Sequence, residues 1–196
     1  MDQGYRLAIF ASGSGTNAEQ IFRHFKNHGN IHAVVLLSNN SGAFALTRAE
    51  NYGIKTFVFN RDQFSDGTVL AELRKNGVTH IVLAGFLWLI PPDLLKEYPG
   101  KIINIHPSLL PAFGGKGMYG MKVHQAVKTS GAAETGITIH EVNEKYDEGR
   151  IIFQKAVGVD DHDDPEAIAA KVHALEHQYF PAVIESWVRN KPYNAV

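Results

Sequence analysis

Short apolar runs alternate with helical signals through the first half of the chain, and that alternation restricts the folds it can adopt. Leu7 to Phe10, Ile31 to Leu37, Lys55 to Phe59, Val78 to Ala84 and Lys101 to Ile105 read as strands. Between them, Asn17 to Asn27, Ala43 to Asn51, Thr68 to Lys75 and a segment opened by Pro91-Pro92 and ending near Tyr98 read as helices. A strand–helix–strand order implies crossover connections, and these are right-handed. The expected fold is therefore α/β: a mostly parallel, twisted sheet with helices on both faces, Rossmann-like in its first half.

The second half reads differently. Ala112 to Met121 is rich in glycine and aromatics and is expected to be a loop. Thr138 to Val142 and Ile151 to Val159 look like strands flanking an acidic turn. Asp164-Pro165-Glu166 is a helix start, with Pro at the first helical position. Ile168, Val172, Leu175, Tyr179, Val183 and Trp187 then keep helical spacing, and Pro181 is predicted to kink or divide that helix. No repeat or linker interrupts the chain, which predicts one domain over residues 1–196.

Composition removes several classes of function. A formal charge of -1 argues against a duplex nucleic-acid binder. The absence of cysteine excludes disulfides, thiolate zinc sites and a cysteine nucleophile. The apolar run from Leu7 to Ala11 is too short to span a membrane and has no signal-peptide cleavage pattern. The expectation is a cytoplasmic protein, monomer or homodimer, that acts on small molecules and has no nucleic-acid or membrane partner.

The most informative string is Ile102-Ile103-Asn104-Ile105-His106-Pro107-Ser108-Leu109-Leu110-Pro111. Side chains alternate along a strand, so Asn104 and His106 share a face, and Pro107 ends the pairing. In open α/β sheets, ligands bind at this C-terminal end of the strands. An amide can donate to a carbonyl oxygen that is becoming an oxyanion, and an imidazole can carry a proton near neutral pH. On spacing alone, a satisfied core histidine beside a strand-capping asparagine is the more ordinary reading.

Gly13-Ser14-Gly15-Thr16-Asn17-Ala18 follows the first strand and opens a helix. It satisfies the G-x-G-x-x-G/A dinucleotide pattern. The second strand, however, ends Leu37-Ser38-Asn39-Asn40, without the acid that grips a ribose. That disfavours a nicotinamide or flavin cofactor. The turn can still hold a phosphate through helix-terminal N–H groups, or it can be a tight strand-to-helix connection. His173-Ala174-Leu175-Glu176-His177 matches an inverted zinc-peptidase pattern. The residues after His177 include Glu185 but no His or Cys as a third ligand, so no metal is expected.

The string Asn104-Ile105-His106-Pro107-Ser108-Leu109-Leu110-Pro111 resembles the signature of the folate-dependent formyltransferases. Leu83-Ala84-Gly85-Phe86, Thr135 to His140 and Tyr146-Asp147-Glu148-Gly149 fall in that family's order. The glycine turn and the His173–His177 segment resemble the branch that formylates 5-phosphoribosylglycinamide. The resemblance runs from about residue 6 to about residue 188. It implies a formyltransferase-type fold and transfer of a formyl group from 10-formyltetrahydrofolate, as cosubstrate, to that amine in de novo purine synthesis.

By the same resemblance, Asn104, His106 and Asp147 are catalytic, with Asp147 keeping His106 charged and aligned. Gly15, Thr16, Asn17 and Glu176 face phosphoribosylglycinamide. Leu87, Trp88, Leu89 and Ile90, with Asn104, form the folate pocket. Glu144 and Glu148 compete locally for the role of Asp147. Trp88 stands where relatives often carry Arg, and no basic residue for the folate is placed near Phe64 to Thr68. A formyltetrahydrofolate hydrolase uses the same residues on water, usually behind an extra N-terminal domain. A non-catalytic phosphate or dinucleotide binder would leave Asn104, His106 and Asp147 unexplained.

Overall fold

The computed structural model describes residues 4–193. Seven strands form one sheet: β1 (Tyr5–Phe10), β2 (Ile31–Ser38), β3 (Lys55–Val58), β4 (His80–Leu83), β5 (Ile102–His106), β6 (Glu134–Glu141) and β7 (Ile151–Gly158). Their spatial order is β3-β2-β1-β4-β5-β6-β7. Neighbours from β3 to β5 pair in parallel, while β6 runs antiparallel to both β5 and β7. The expected α/β fold is the one observed.

Seven helices cover the sheet: α1 (Thr16–Phe25), α2 (Phe44–Asn51), α3 (Arg61–Ser65), α4 (Thr68–Lys75), α5 (Pro92–Glu97), α6 (Met121–Ser130) and α7 (Pro165–Val188). The twofold alternation of the strands divides the core. Leu7 and Ile9 face Ile21, Phe22, Ala49, Val127 and Phe180 of α1, α2, α6 and α7. Ala8 and Phe10 face Phe64, Leu73 and Leu94 of α3, α4 and α5. Both faces of β1 are thus sealed, which is why it carries an unbroken apolar run.

Four elements depart from expectation. Helix α7 runs as one helix from Pro165 to Val188, so of the two expected effects of Pro181, division does not occur. Pro181 has no N–H to give its own turn, yet Val172, Phe180, Val183 and Ile184 on both sides are fully buried. Packing along the whole length outweighs one missing hydrogen bond. Strand β6 begins at Glu134, four residues before the expected start, because Gly136 lets β7 come close. A Cβ at Gly136 would lie 2.0 Å from the Lys155 carbonyl oxygen. Helices α3 and α6 fall outside the expected set. The first is a five-residue turn held by a reciprocal capping box between Asn60 and Gln63.

The switch in strand order lies at β1, between β2 and β4. Chains leaving β1 and β4 diverge there to opposite faces, which opens a crevice above the strand ends.

Buried histidines make the fold acid-sensitive. Burial and Lys101 push His80 down to about 4, and burial with His173 and His106 nearby pushes His124 down to about 4. Unfolded histidines titrate near 6.5. Below that value the unfolded chain binds protons that the folded one refuses, so stability is lost as pH falls from about 6.5 to about 4. Urea midpoints measured across that range should decline steadily. A flat profile would mean that neither ring is held neutral.

Candidate active site

One wall of the crevice is the glycine turn. Gly15 caps α1 with φ 73, and a Cβ there would sit 2.5 Å from that of Ala45 in α2. Only glycine allows both this backbone and this approach. No side chain caps α1, so its first N–H groups are left without a side-chain acceptor beside the crevice, an arrangement that could hold an anion. The turn is braced from outside. Ser12 donates its hydroxyl to Asn39 Oδ1 at 2.7 Å, and Arg48 Nε donates to the Ser14 carbonyl at 2.9 Å. Asn39 at the end of β2 therefore secures the turn where a dinucleotide site would present an acid.

Asn17 also reaches across to α7. Its amide Nδ2 donates to Glu176 Oε2 at 2.8 Å. Burial drives the Glu176 carboxyl above its ordinary range, with Asn17 and His173 opposing. A carboxyl that holds its proton can donate as well as accept a hydrogen bond.

The second wall is the end of β5. His140 stands opposite Asn104 in the antiparallel register. Its Nδ1 lies 2.7 Å from the Glu141 carbonyl, which must accept, so Nδ1 carries the hydrogen. Nε2 is then an acceptor, and the Asn104 amide nitrogen donates to it at 3.1 Å. This orients Asn104: one amide hydrogen is held by His140, and the other is free for a ligand.

Asp147 sits between the two imidazoles. Its carboxylate is 3.5 Å from His106 Nδ1 and 3.6 Å from His140 Nε2, and it accepts from the Gly115 N–H at 2.8 Å. The backbone at Asp147 has φ 58, a left-handed conformation that Asp tolerates better than most residues. The competing acids do not reach the site. Glu144 is exposed, and Glu148 is exposed and paired with Lys145 at 3.0 Å.

The charge state differs from expectation. His106 Nε2 faces the Phe113 carbonyl at 2.9 Å while Nδ1 faces Asp147. Two acceptors invite two ring hydrogens, as the expected imidazolium would have. Burial opposes this and wins, so the His106 pKa lies below its ordinary value despite Asp147 and Phe113. Asp147 raises the ring's proton affinity without keeping it charged at neutral pH. Burial likewise works against the Asp147 carboxylate, but the His106 ring and the hydrogen bond from the Gly115 N–H hold its pKa below the usual range. The resting pair is a neutral imidazole poised beside a carboxylate, ready to take up one proton.

The loop after β5 is fixed by neighbouring strands. Thr138 on β6 donates to the Ser108 carbonyl at 2.7 Å and accepts from the Leu110 N–H at 2.9 Å. Gln154 on β7 holds both the Thr138 hydroxyl and the Leu110 carbonyl.

Beyond β4 the crevice becomes apolar. Leu87 and Leu89 are exposed, Ile90 is buried, and Trp88 packs on Phe59, Phe64 and Phe86. The Arg61 guanidinium lies over the Trp88 ring, 4.2 Å from its centre. Sequence spacing placed no basic residue near Phe64 to Thr68. Arg61 precedes the Phe64–Thr68 window, and the short turn of α3 carries it back onto Trp88.

The crevice has a volume of about 580 Å³. Gly15, Thr16, Asn17 and Glu176 line it, as do Leu87, Trp88, Leu89 and Ile90, and Asn104, His106 and Asp147. All the sequence-nominated site residues therefore meet in one cavity. His124 and His140 also line it and were not nominated. His140 did have a signal, since it lies two residues after Thr138 on a strand, the same spacing as Asn104 and His106. Arg61, and the Phe113 carbonyl that faces His106, had none.

A family model described as "Formyl transferase" matches residues 5–184. The chain is 44% identical over 186 residues to the chloroplastic phosphoribosylglycinamide formyltransferase of Arabidopsis thaliana, covering 91% of this chain and 64% of that one. It is 40% identical to the phosphoribosylglycinamide formyltransferase of Bacillus subtilis, covering 92% and 93%. The chain thus spans less than two thirds of the length of the plant relative. Among solved structures, the phosphoribosylglycinamide formyltransferase of Brucella melitensis superposes with a TM-score of 0.85 at 35% identity, over 98% of this chain and 100% of that one. The enzyme from Anaplasma phagocytophilum does so with a TM-score of 0.86 at 33% identity, over 95% and 88%. Matches of this extent leave no element of the site outside the shared fold, and the chain belongs to the formyl transferase family.

Proposed function

We propose that this protein transfers the formyl group of 10-formyltetrahydrofolate to the amine of 5-phosphoribosylglycinamide, a step of de novo purine synthesis. The observation that carries the proposal is the placement of Asn104, His106 and Asp147 between two chemically different halves of one cavity. One half offers an uncapped helix N-terminus with a buried acid, suited to a sugar phosphate. The other is apolar and aromatic, suited to a flat ring system, and Trp88 joins it to a neighbouring recess that holds the Arg61 guanidinium, a partner for carboxylates at the far end of such a ligand.

In this reading the substrate amine attacks the formyl carbon, and the carbonyl electrons move onto oxygen. The free Asn104 N–H stabilises that oxyanion, and His106 takes up the proton the amine must lose, helped by Asp147. Collapse of the tetrahedral adduct breaks the bond to the folate nitrogen, which leaves with a proton relayed by His106. The neutral resting state of His106 suits it to accept first and donate later.

Arg61 is assigned to the carboxylate end of the folate. Arg61→Ala should raise KM for the folate about fivefold to tenfold, the loss of one charge-assisted contact. Steady-state kinetics should show kcat and the KM for the amine unchanged.

The function itself is tested by following deformylation of a 10-formyl folate with and without phosphoribosylglycinamide. Amine-dependent release supports transfer. Equal release without amine identifies a hydrolase, and no release leaves a binding protein.

A further inference from the structure

Among the described residues, four buried side-chain polar atoms have no hydrogen-bond partner: Asn17 Oδ1, His124 Nδ1, Thr135 Oγ1 and His177 Nε2. Buried polar groups are almost always paired, so each exception calls for a cause. Asn17 and His124 both line the cavity. The Asn17 oxygen can only accept a hydrogen bond. A phosphate dianion has no hydrogen to give it, whereas sugar hydroxyls, amides and amines do.

His124 belongs to the same end of the cavity. It lies in the first turn of α6 and is only 1% exposed. Its ring meets that of His173 edge-on at 6.2 Å. No carboxylate pairs with it among the described residues, and its proton affinity is low, so its ring is neutral in use and has one accepting nitrogen. Nδ1 is sealed off, whereas Nε2 is neither sealed nor hydrogen-bonded among the described residues, so Nε2 is the nitrogen that can accept from a ligand in the cavity.

We infer that His124 is a substrate-binding residue that sets specificity for the amine substrate, accepting a hydrogen bond from its N–H or O–H groups beside those that Asn17 accepts. The inference rests on the proposed function and extends it to a residue outside the catalytic trio. It also explains why α6 buries an imidazole where a leucine would fill the space without an unpaired nitrogen. Such a cost persists where the group is used by a ligand.

The test compares wild-type protein with His124→Phe and His124→Gln. Binding of phosphoribosylglycinamide is measured by calorimetry, folate-dependent turnover by kinetics, and thermal stability without ligands. For His124→Phe, affinity for the amine should fall on the order of tenfold while the folate KM holds. Its melting temperature should stay level or rise, because an unpaired buried nitrogen is gone. His124→Gln, which keeps an acceptor, should recover most of the affinity. Unchanged amine affinity in His124→Phe overturns the inference. So does a large drop in melting temperature that His124→Gln shares, since that marks a structural histidine. Wild-type protein that does not bind phosphoribosylglycinamide removes the functional reading itself, before any variant is made.

Discussion

Asn104→Ala and His106→Ala are each expected to lower kcat by about 10²–10³, the usual effect of removing one oxyanion donor or a general acid–base group. The structure makes the two losses different in kind. Asn104 has one amide hydrogen on His140 and one free, so Asn104→Ala removes the free donor and leaves His140 Nε2 without its partner. His106→Ala removes the proton carrier and frees the Phe113 carbonyl and Asp147. Melting temperatures should change modestly, because both side chains stand at the cavity wall rather than in the packed layers. Single-turnover kinetics decide the matter: wild-type rates in either variant would sink the assignment. The double variant should be far less than multiplicatively worse, since both residues serve one tetrahedral adduct.

Asp147→Asn should also cost about 10² in kcat, with a signature in pH. Asp147 raises the proton affinity of His106 against burial. Without that charge, only the Phe113 carbonyl opposes burial, and the His106 titration must move to lower pH. The imidazole then holds its proton less readily at the step where it must take one up. Proton NMR of the His106 ring in both proteins checks the direction, and an upward shift would refute it. Stability should respond too. The folded Asp147 pKa lies below 3.8, so its contribution is present above that value and is lost as pH falls through the folded pKa. Asp147→Asn should therefore show a shallower loss of stability on the acid side.

Much of this site is legible in the chain because its chemistry sits at places where local rules are strict. A strand can end in Asn-x-His-Pro only with both polar groups on one face. A glycine turn between a buried strand and a helical pattern leaves that helix's first N–H groups exposed at the strand end. Those two rules drew attention to Asn104, His106 and the residues from Gly15 to Asn17, and the family resemblance supplied their expected roles. The residues that escaped notice depend on partners far away in sequence. His140 matters because antiparallel pairing sets it against Asn104. Arg61 matters because a five-residue helix returns it to Trp88. Helix α6 has only a short apolar stripe, Val123 and Val127, so periodicity alone does not reveal it.

The sequence by itself determined the α/β alternation and the local geometry of the two turns, because each follows from backbone geometry and side-chain type within a few residues, while the class of chemistry came from the resemblance of whole strings to the formyltransferases. Only the tertiary structure decided the charge of His106. The sequence supplies Asp147, and a carboxylate alone would favour the imidazolium. How deeply the ring is buried depends on the whole packed cavity, and there the cost of removing the charge from water exceeds the attraction of its partner. The unbroken course of α7 through Pro181 was settled the same way, by burial summed over many distant contacts outweighing one local rule.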